Sequence, residues 1–262
     1  MLPLPFLNPA AGTPAVRNPL RPSVIVPTQA VDADELSSDC AEAARTSVVD
    51  VVEWRIDPLL AGSDGDGAER AEAVLTLLPS AVTAGLPVLV TLRTGFEGGA
   101  VDIAEDEYAE VARRLVAGLS GAGSVPVALD IEIDRAEAGA LIAEAREVGV
   151  PVVASHHNFE STDSREDLIA TFRRMAASGA DVAKAAMMPQ TPADVARLLG
   201  ATAEAHAELG CPVLGISMGR LGRTSRIMGA DFGSCATFAQ IGQASAPGQI
   251  DAAHLAEILD RL

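Results

Sequence analysis

Residues 151–187 read PVVASHHNFESTDSREDLIATFRRMAASGADVAKAAM, and this stretch contains the pattern that decides the fold. An apolar run is followed by a segment with apolar residues three to four positions apart, and then by a second apolar run. Ser164 precedes the middle segment as a helix N-cap residue, and Gly179 ends it as a C-terminal glycine. The stretch therefore predicts two parallel strands joined by a helix.

The same alternation extends along almost the whole chain. Apolar and β-branched runs predict about eight strands, at residues 23–28, 48–55, 87–93, 126–133, 151–157, 181–187, 212–217 and 231–239. This number of strands in 262 residues favours a closed (β/α)8 TIM barrel over an open doubly wound sheet, whose GxGxxG fingerprint is absent. We predict a single-domain α/β fold, with the catalytic barrel at residues 23–262. Residues 1–22 are predicted to be an N-terminal arm that is either flexible or closes the barrel floor.

Composition argues against several classes of function. The chain has 36 acidic and 19 basic residues, and its formal charge of -17 opposes binding to nucleic acid or to anionic lipid. No apolar run approaches the ~20 residues of a membrane span, and the proline-rich start lacks the apolar centre of an export signal. The three cysteines have no zinc-type spacing. We therefore expect a cytoplasmic protein that binds neither nucleic acid nor membrane.

Charged side chains recur where the predicted strands end. In a barrel these ends surround the active site. Alone, each such residue could be an ordinary ion pair or a solvated side chain. Buried charges are costly without partners, so their presence on five successive strands predicts one polar cluster at the barrel mouth. Its members are Glu53, Arg55, Arg93, Glu97, Asp130, Glu132, His156, His157 and Lys184.

Lys184 is the strongest candidate for a nucleophile. Its neighbours from Val182 to Met188 include no counter-charge, so burial should favour the neutral amine, which can attack a ketone. His157, one strand earlier, is suited to moving protons. The adjacent His156 raises the alternative of a metal site. Neighbours on a strand point to opposite faces, however, so at most one of the two histidines faces the interior.

The loops after strands seven and eight are candidates for binding an anionic group of a substrate, as they commonly do in barrels. Arg226 lies in the first of these loops, and an arginine can bind a carboxylate through two parallel hydrogen bonds. Ser245 and Gln249 belong to the second loop and have the character of a polar lid. A plain loop before the last helix would have a similar composition.

Taken in order, the motifs resemble those of the type I 3-dehydroquinate dehydratase family. The resemblance covers roughly residues 23–262, and KAAMMPQ and SAPGQI are its most specific segments. The motifs are EWRID (53–57), LRTGFEGG (92–99), LDIE (129–132), SHHNF (155–159), KAAMMPQ (184–190), SRIMG (225–229) and FGSCATFAQIGQASAPGQI (232–250). Three positions depart from the pattern: Pro27, the doubled His156, and Asn158, where aspartate is frequent.

The resemblance implies a hydro-lyase of the shikimate pathway that acts on 3-dehydroquinate as a homodimer, without metal or cofactor. Lys184 would form an imine with the ketone, His157 would act as general base and acid, and Glu97 would assist His157. The implied substrate-binding residues are Glu53, Arg55, Arg93, Arg226, Ser245 and Gln249. Two alternatives remain: a Schiff-base aldolase on the same barrel, and a non-catalytic metabolite-binding relative, which would be expected to lose the lysine or the histidine.

Overall fold

The computed structural model describes residues 1–7, 21–121, 123–242 and 247–262. Within these ranges the strands are β1 Ser23–Thr28, β2 Val51–Arg55, β3 Val88–Thr91, β4 Val127–Glu132, β5 Val152–Asn158, β6 Val182–Met187, β7 Val213–Ser217, β8 Ala236–Gln240 and β9 Ile250–Asp251. The α-helices are α1 Ala33–Thr46, α2 Asp57–Ala61, α3 Gly67–Val82, α4 Glu105–Leu119, α5 Ala138–Glu147, α6 Arg165–Ala177, α7 Pro192–Glu208, α8 Arg223–Met228 and α9 Ala252–Leu259. No helix in the described ranges is long and apolar enough to cross a bilayer.

The strands form a closed parallel barrel. Their order is β7-β6-β5-β4-β3-β2-β1-β8, and the short β9 pairs with β8. The barrel closes between β7 and β8, where Val213 and Ser234 form a parallel bridge and the Cys235 amide donates to the Val213 carbonyl at 2.8 Å. The predicted α/β barrel class is therefore confirmed.

Alternate residues along each strand are buried in two separate apolar clusters. The residues facing outward pack beneath the helices, around Trp54 and Leu129. The residues facing inward form the second cluster inside the barrel, and Leu4 and Phe6 are buried among them. Residues 8–20 of the predicted arm lie outside the described residues, and the division of the chain at residue 22 stays a prediction.

The boundaries of the elements match the predictions closely, with one correction at strand eight. The Ser164 side chain accepts a hydrogen bond from the Asp167 amide at the start of α6, and Gly179 has a φ of +87° just after α6 ends. Strand eight begins at Ala236 and not at residue 231. A 3-10 helix occupies Gly229–Phe232, and Gly233, with a φ of +90°, turns the chain before the strand.

Candidate active site

A cavity of about 290 Å³ opens at the carboxyl-terminal mouth of the barrel. Seven of the predicted site residues line it: Glu53, Arg55, Arg93, His157, Lys184, Arg226 and Gln249. Glu97 lies behind His157, and Ser245 falls outside the described residues. The remaining lining residues are Gln29, Asp57, Gly98, Gly99, Ala100, Phe159, Ala186, Ile216, Met218 and Phe238.

Lys184 on β6 is buried, with only 4% of its surface exposed. Its Nζ lies 3.4 Å from Oε1 of Glu53 and 3.3 Å from Oδ2 of Asp130, and 4.8 Å from the centre of the Phe238 ring. The predicted burial is present, and the counter-charges that the sequence neighbours of Lys184 lack are supplied by other strands of the barrel. The two carboxylates come from β2 and β4 across the barrel, and the residues next to Lys184 in sequence carry no information about them.

Arg93 connects the polar side chains at the mouth. One guanidinium nitrogen donates to Glu97 at 2.6 Å and to Glu132 at 3.0 Å, and the other donates to Asp130 at 2.7 Å and to Ser155 at 3.1 Å. Burial lowers the pKa of Arg93, but the surrounding carboxylates more than offset this and hold the pKa above its ordinary value. Arg93 is therefore a permanent cation that orients three acidic groups.

His157 and Glu97 form a buried pair in which Nδ1 of His157 lies 2.7 Å from Oε2 of Glu97. Burial lowers the pKa of His157 well below 6.5, and the positive charges of Arg93 and Lys184 lower it further. Burial raises the pKa of Glu97 to about 8, although Arg93 acts against this. When Glu97 is ionised it accepts the Nδ1 hydrogen. The unprotonated Nε2 of His157 is then available as a base.

His156 points to the other face of β5 and has different partners. Its Nδ1 lies 2.6 Å from Oδ2 of Asp134, and its Nε2 lies 2.9 Å from Oδ2 of Asp163. Burial lowers the pKa of His156, but the two carboxylates outweigh it and raise the pKa to about 9. The ligand-type atoms of Glu97, Asp134 and His156 lie within 4.8 Å of one another. Hydrogen bonding explains this cluster without an ion, because both ring nitrogens already have carboxylate partners.

Arg226 was predicted to lie in a loop but belongs to the short helix α8, where it is a buried cation without an acidic partner among the described residues. Its guanidinium donates to the carbonyls of Phe238 at 3.1 Å and Pro247 at 3.2 Å. Its Nε has no partner in the same part of the chain, and burial lowers its pKa to about 10. Such an uncompensated charge on a cavity wall is suited to binding an anion.

Arg55 is held in a fixed orientation by Asp57, which was not among the predicted site residues. The two side chains form paired hydrogen bonds of 2.7 and 2.8 Å, and Asp57 also accepts from the Ala100 amide. Asp57 is the last residue of the EWRID motif, so this motif could have identified it as a site residue. Apolar lining residues such as Met218 and Phe238 had no such signal, because nothing distinguishes them locally from core residues.

Asn158 lies at the end of β5 and does not line the mouth cavity. Its side chain donates to Asp163 at 2.8 Å and accepts from the amides of Glu160 and Ser161 at 3.0 Å. Asn158 therefore stabilises the loop after β5. Pro27 on β1 is in register with Glu53 but does not line the mouth cavity either.

Residues 24–262 match the family model described as type I 3-dehydroquinase. A 3-dehydroquinate dehydratase of Klebsiella pneumoniae is 40% identical over 216 residues, which cover 81% of this chain and 82% of the relative. The crystal structure of the Geobacillus kaustophilus dehydratase is 34% identical, with a TM-score of 0.80 over 92% of this chain and 91% of that one. The Clostridium difficile type I enzyme, crystallised with covalently modified comenic acid, is 29% identical, with a TM-score of 0.79 over 92% of each chain. Because the family model matches residues 24–262 and a curated relative is 40% identical over most of both chains, the chain belongs to the type I 3-dehydroquinase family.

Proposed function

We propose that Lys184, His157 and Glu97 carry out the dehydration of 3-dehydroquinate, the activity that membership of this family assigns to the chain. The observation that carries the proposal is the buried amine of Lys184 on the cavity wall, with His157 lining the same cavity. Lys184 is also the only lysine in the sequence. A buried amine on the wall of a preformed cavity can attack a carbonyl carbon once it has given up its proton, and two carboxylates lie close enough to accept that proton.

In the proposed reaction the neutral amine of Lys184 attacks the C3 ketone, and loss of water gives an iminium. Glu53 and Asp130 are hydrogen-bond acceptors within 3.4 Å for the proton that the ammonium must give up. Nε2 of His157 removes a proton from the carbon next to the iminium, which yields an enamine. The enamine expels the hydroxyl group by syn elimination, and His157 returns the proton so that water leaves. Hydrolysis of the remaining imine releases 3-dehydroshikimate and the free amine.

The same proposal gives the other lining residues binding roles. Arg226 binds the substrate carboxylate, because it is a buried cation without an acidic partner among the described residues. Glu53, Arg55, Arg93 and Gln249 present hydrogen-bonding groups for the hydroxyls of the ring. Ser245 is kept as a lid contact on sequence grounds alone.

Borohydride trapping tests the proposal. The wild-type protein is incubated with 3-dehydroquinate and borohydride, and the intact mass and the modified peptide are measured while the conjugated-enone absorbance of the product is followed. Because the sequence has one lysine, the reduced adduct is expected at Lys184, and the mass of the modified peptide distinguishes it from reaction at an N-terminal amine. Lys184→Ala should abolish turnover and the adduct but leave substrate binding measurable. No adduct and no absorbance in the wild type would refute the proposal.

Assembly and location are further parts of the proposal. We propose a homodimer, as the family resemblance implies, and a cytoplasmic location, as we expect from the sequence composition. Light scattering should then give about twice the chain mass of 26.9 kDa. A monomer would refute the dimer, and recovery of the native protein in a membrane or secreted fraction would refute the location.

A further inference from the structure

A second group of charged side chains lies directly behind the pair formed by His157 and Glu97. We call Asp134, His156 and Asp163 the His156 clamp, because both imidazole nitrogens contact carboxylates, at 2.6 and 2.9 Å. Two side chains outside the clamp donate hydrogen bonds to its aspartates. Arg174 of α6 donates to the other oxygen of Asp134, and Asn158 donates to the other oxygen of Asp163. An imidazole with an acceptor on each nitrogen needs a hydrogen on each nitrogen, so this geometry favours the imidazolium.

The clamp faces the one oxygen of Glu97 that has no hydrogen bond among the described residues. Oε2 of Glu97 is used by both Arg93 and His157, whereas the buried Oε1 has no such partner. Nδ1 of His156 lies 3.9 Å from Oε1. A proton added to Glu97 would therefore be carried on Oε1, which is the atom that the positive charge of His156 faces.

We propose that His156 is a positioning residue for the catalytic pair: its imidazolium, fixed by Asp134 and Asp163, favours the ionised form of Glu97, which holds the Nδ1 hydrogen of His157. The proposal rests on the proposed function, in which Nε2 of His157 is the base. Without the charge on His156, the negative charges of Asp134 and Asp163 would be left near Glu97, and Glu97 would be protonated more readily. A protonated Glu97 is neutral and is a weaker acceptor for the Nδ1 hydrogen of His157. It then no longer fixes that hydrogen on Nδ1, so Nε2 is less available as a base.

Several charged groups act on His156 and define the expected pH dependence. Asp134 follows β4, Asp163 precedes α6, and Glu97 is the last residue of a 3-10 helix at Gly95–Glu97 after β3. His157 is the next residue on β5, and Arg174 acts through Asp134. Burial opposes the imidazolium, and the three carboxylates favour it and outweigh the burial. Because burial already raises the pKa of Glu97 to about 8, loss of the imidazolium should raise it further.

The test is the pH profile of kcat in His156→Asn. An opposite charge within about 4–6 Å moves a carboxyl pKa by about 1 to 3, so the acid limb should move up by at least about one pH unit. At pH 7, kcat should fall about tenfold or more and should recover toward the wild-type value at high pH. KM and borohydride trapping should change little. His156→Lys, which keeps a positive charge, should retain most of the wild-type acid limb, and His254→Asn at an exposed position is the matched control.

A second measurement covers the case in which His156→Asn does not fold. The chain has four histidines, so their ring signals can be assigned and titrated by NMR. Coupling between two sites is reciprocal, so Glu97→Gln should lower the pKa of His156 from about 9. An unchanged His156 titration would overturn the proposal.

Two kinetic outcomes would also overturn it: an acid limb of His156→Asn at the wild-type position, or an equal loss of kcat at every pH. The latter would indicate a merely structural role. Failure of the wild-type protein to form an imine is a different result, because it would refute the proposed function itself.

Discussion

Replacing Arg226 with methionine should weaken substrate binding while leaving the substrate-free protein as stable as before or slightly more stable. Arg226 is 2% exposed and forms no ion pair among the described residues. Burial lowers its pKa from 12.5 to about 10, which corresponds to about 3 kcal/mol of unfavourable free energy for the buried cation. Because the folded pKa is below the unfolded one, this cost is fully present below pH 10 and is relieved only as the pH rises above it.

The hydrogen bonds of Arg226 offset most of that cost. It donates to the carbonyls of Phe238 and Pro247, and each bond contributes about 1 kcal/mol. Removing the charge with a side chain of similar length should therefore change the free energy of unfolding by about 1 kcal/mol, in the stabilising direction. When substrate is bound, arginine is favoured over methionine at position 226, because its charge-assisted hydrogen bond to the substrate carboxylate contributes about 1.5–3 kcal/mol. We expect KM to rise about 10- to 100-fold, with a smaller change in kcat.

Arg93→Met is the matched control, because Arg93 is equally buried but has acidic partners. Its removal leaves Glu97, Asp130 and Glu132 buried without their shared cation, which should cost about 3–5 kcal/mol. Urea unfolding without substrate and steady-state kinetics measure both effects. If Arg226→Met lowered stability as much as Arg93→Met, or left KM unchanged, the assignment of Arg226 as an uncompensated carboxylate-binding cation would be wrong.

Three further predictions follow from the site. Since burial raises the pKa of Glu97 to about 8 and its ionised form is the active one, kcat should rise with pH through about 8. Glu97→Gln should remove that limb and lower kcat by about 100-fold, and a retained limb would contradict the role of Glu97. Gly98→Ala should destabilise the protein and raise KM, because its Cβ would lie 2.7 Å from the Phe159 ring, which lines the cavity. Gly85→Ala is the control, because Gly85 has a φ of +76°, close to the +77° of Gly98, but an added Cβ there would have no neighbour within 4 Å. In urea unfolding it therefore measures the cost of the backbone conformation alone. Dialysis against EDTA should leave kcat unchanged, and a loss reversed by added zinc would show that a metal is required.

The sequence alone predicted the architecture, because local periodicity determines which segments become strands and helices. Apolar runs and the helical pattern between them identified the eight barrel strands, and the signals at Ser164 and Gly179 marked the ends of α6. The start of β8 was missed because the positive φ of Gly233 is a property of the folded turn, and glycine alone does not indicate it.

The sequence also predicted most of the residues around the cavity, since parallel strands bring their carboxyl ends to one mouth. Lys184, His157 and Arg226 were identified from that rule and from the family motifs.

Only the tertiary structure decided what those residues contact. The partners of Lys184 are Glu53 and Asp130, 131 and 54 positions away in sequence. Oε1 of Glu97, which has no hydrogen bond among the described residues, faces His156. Such distances depend on the register and closure of the barrel, which place distant strands around one axis, and the local pattern around each residue cannot specify them.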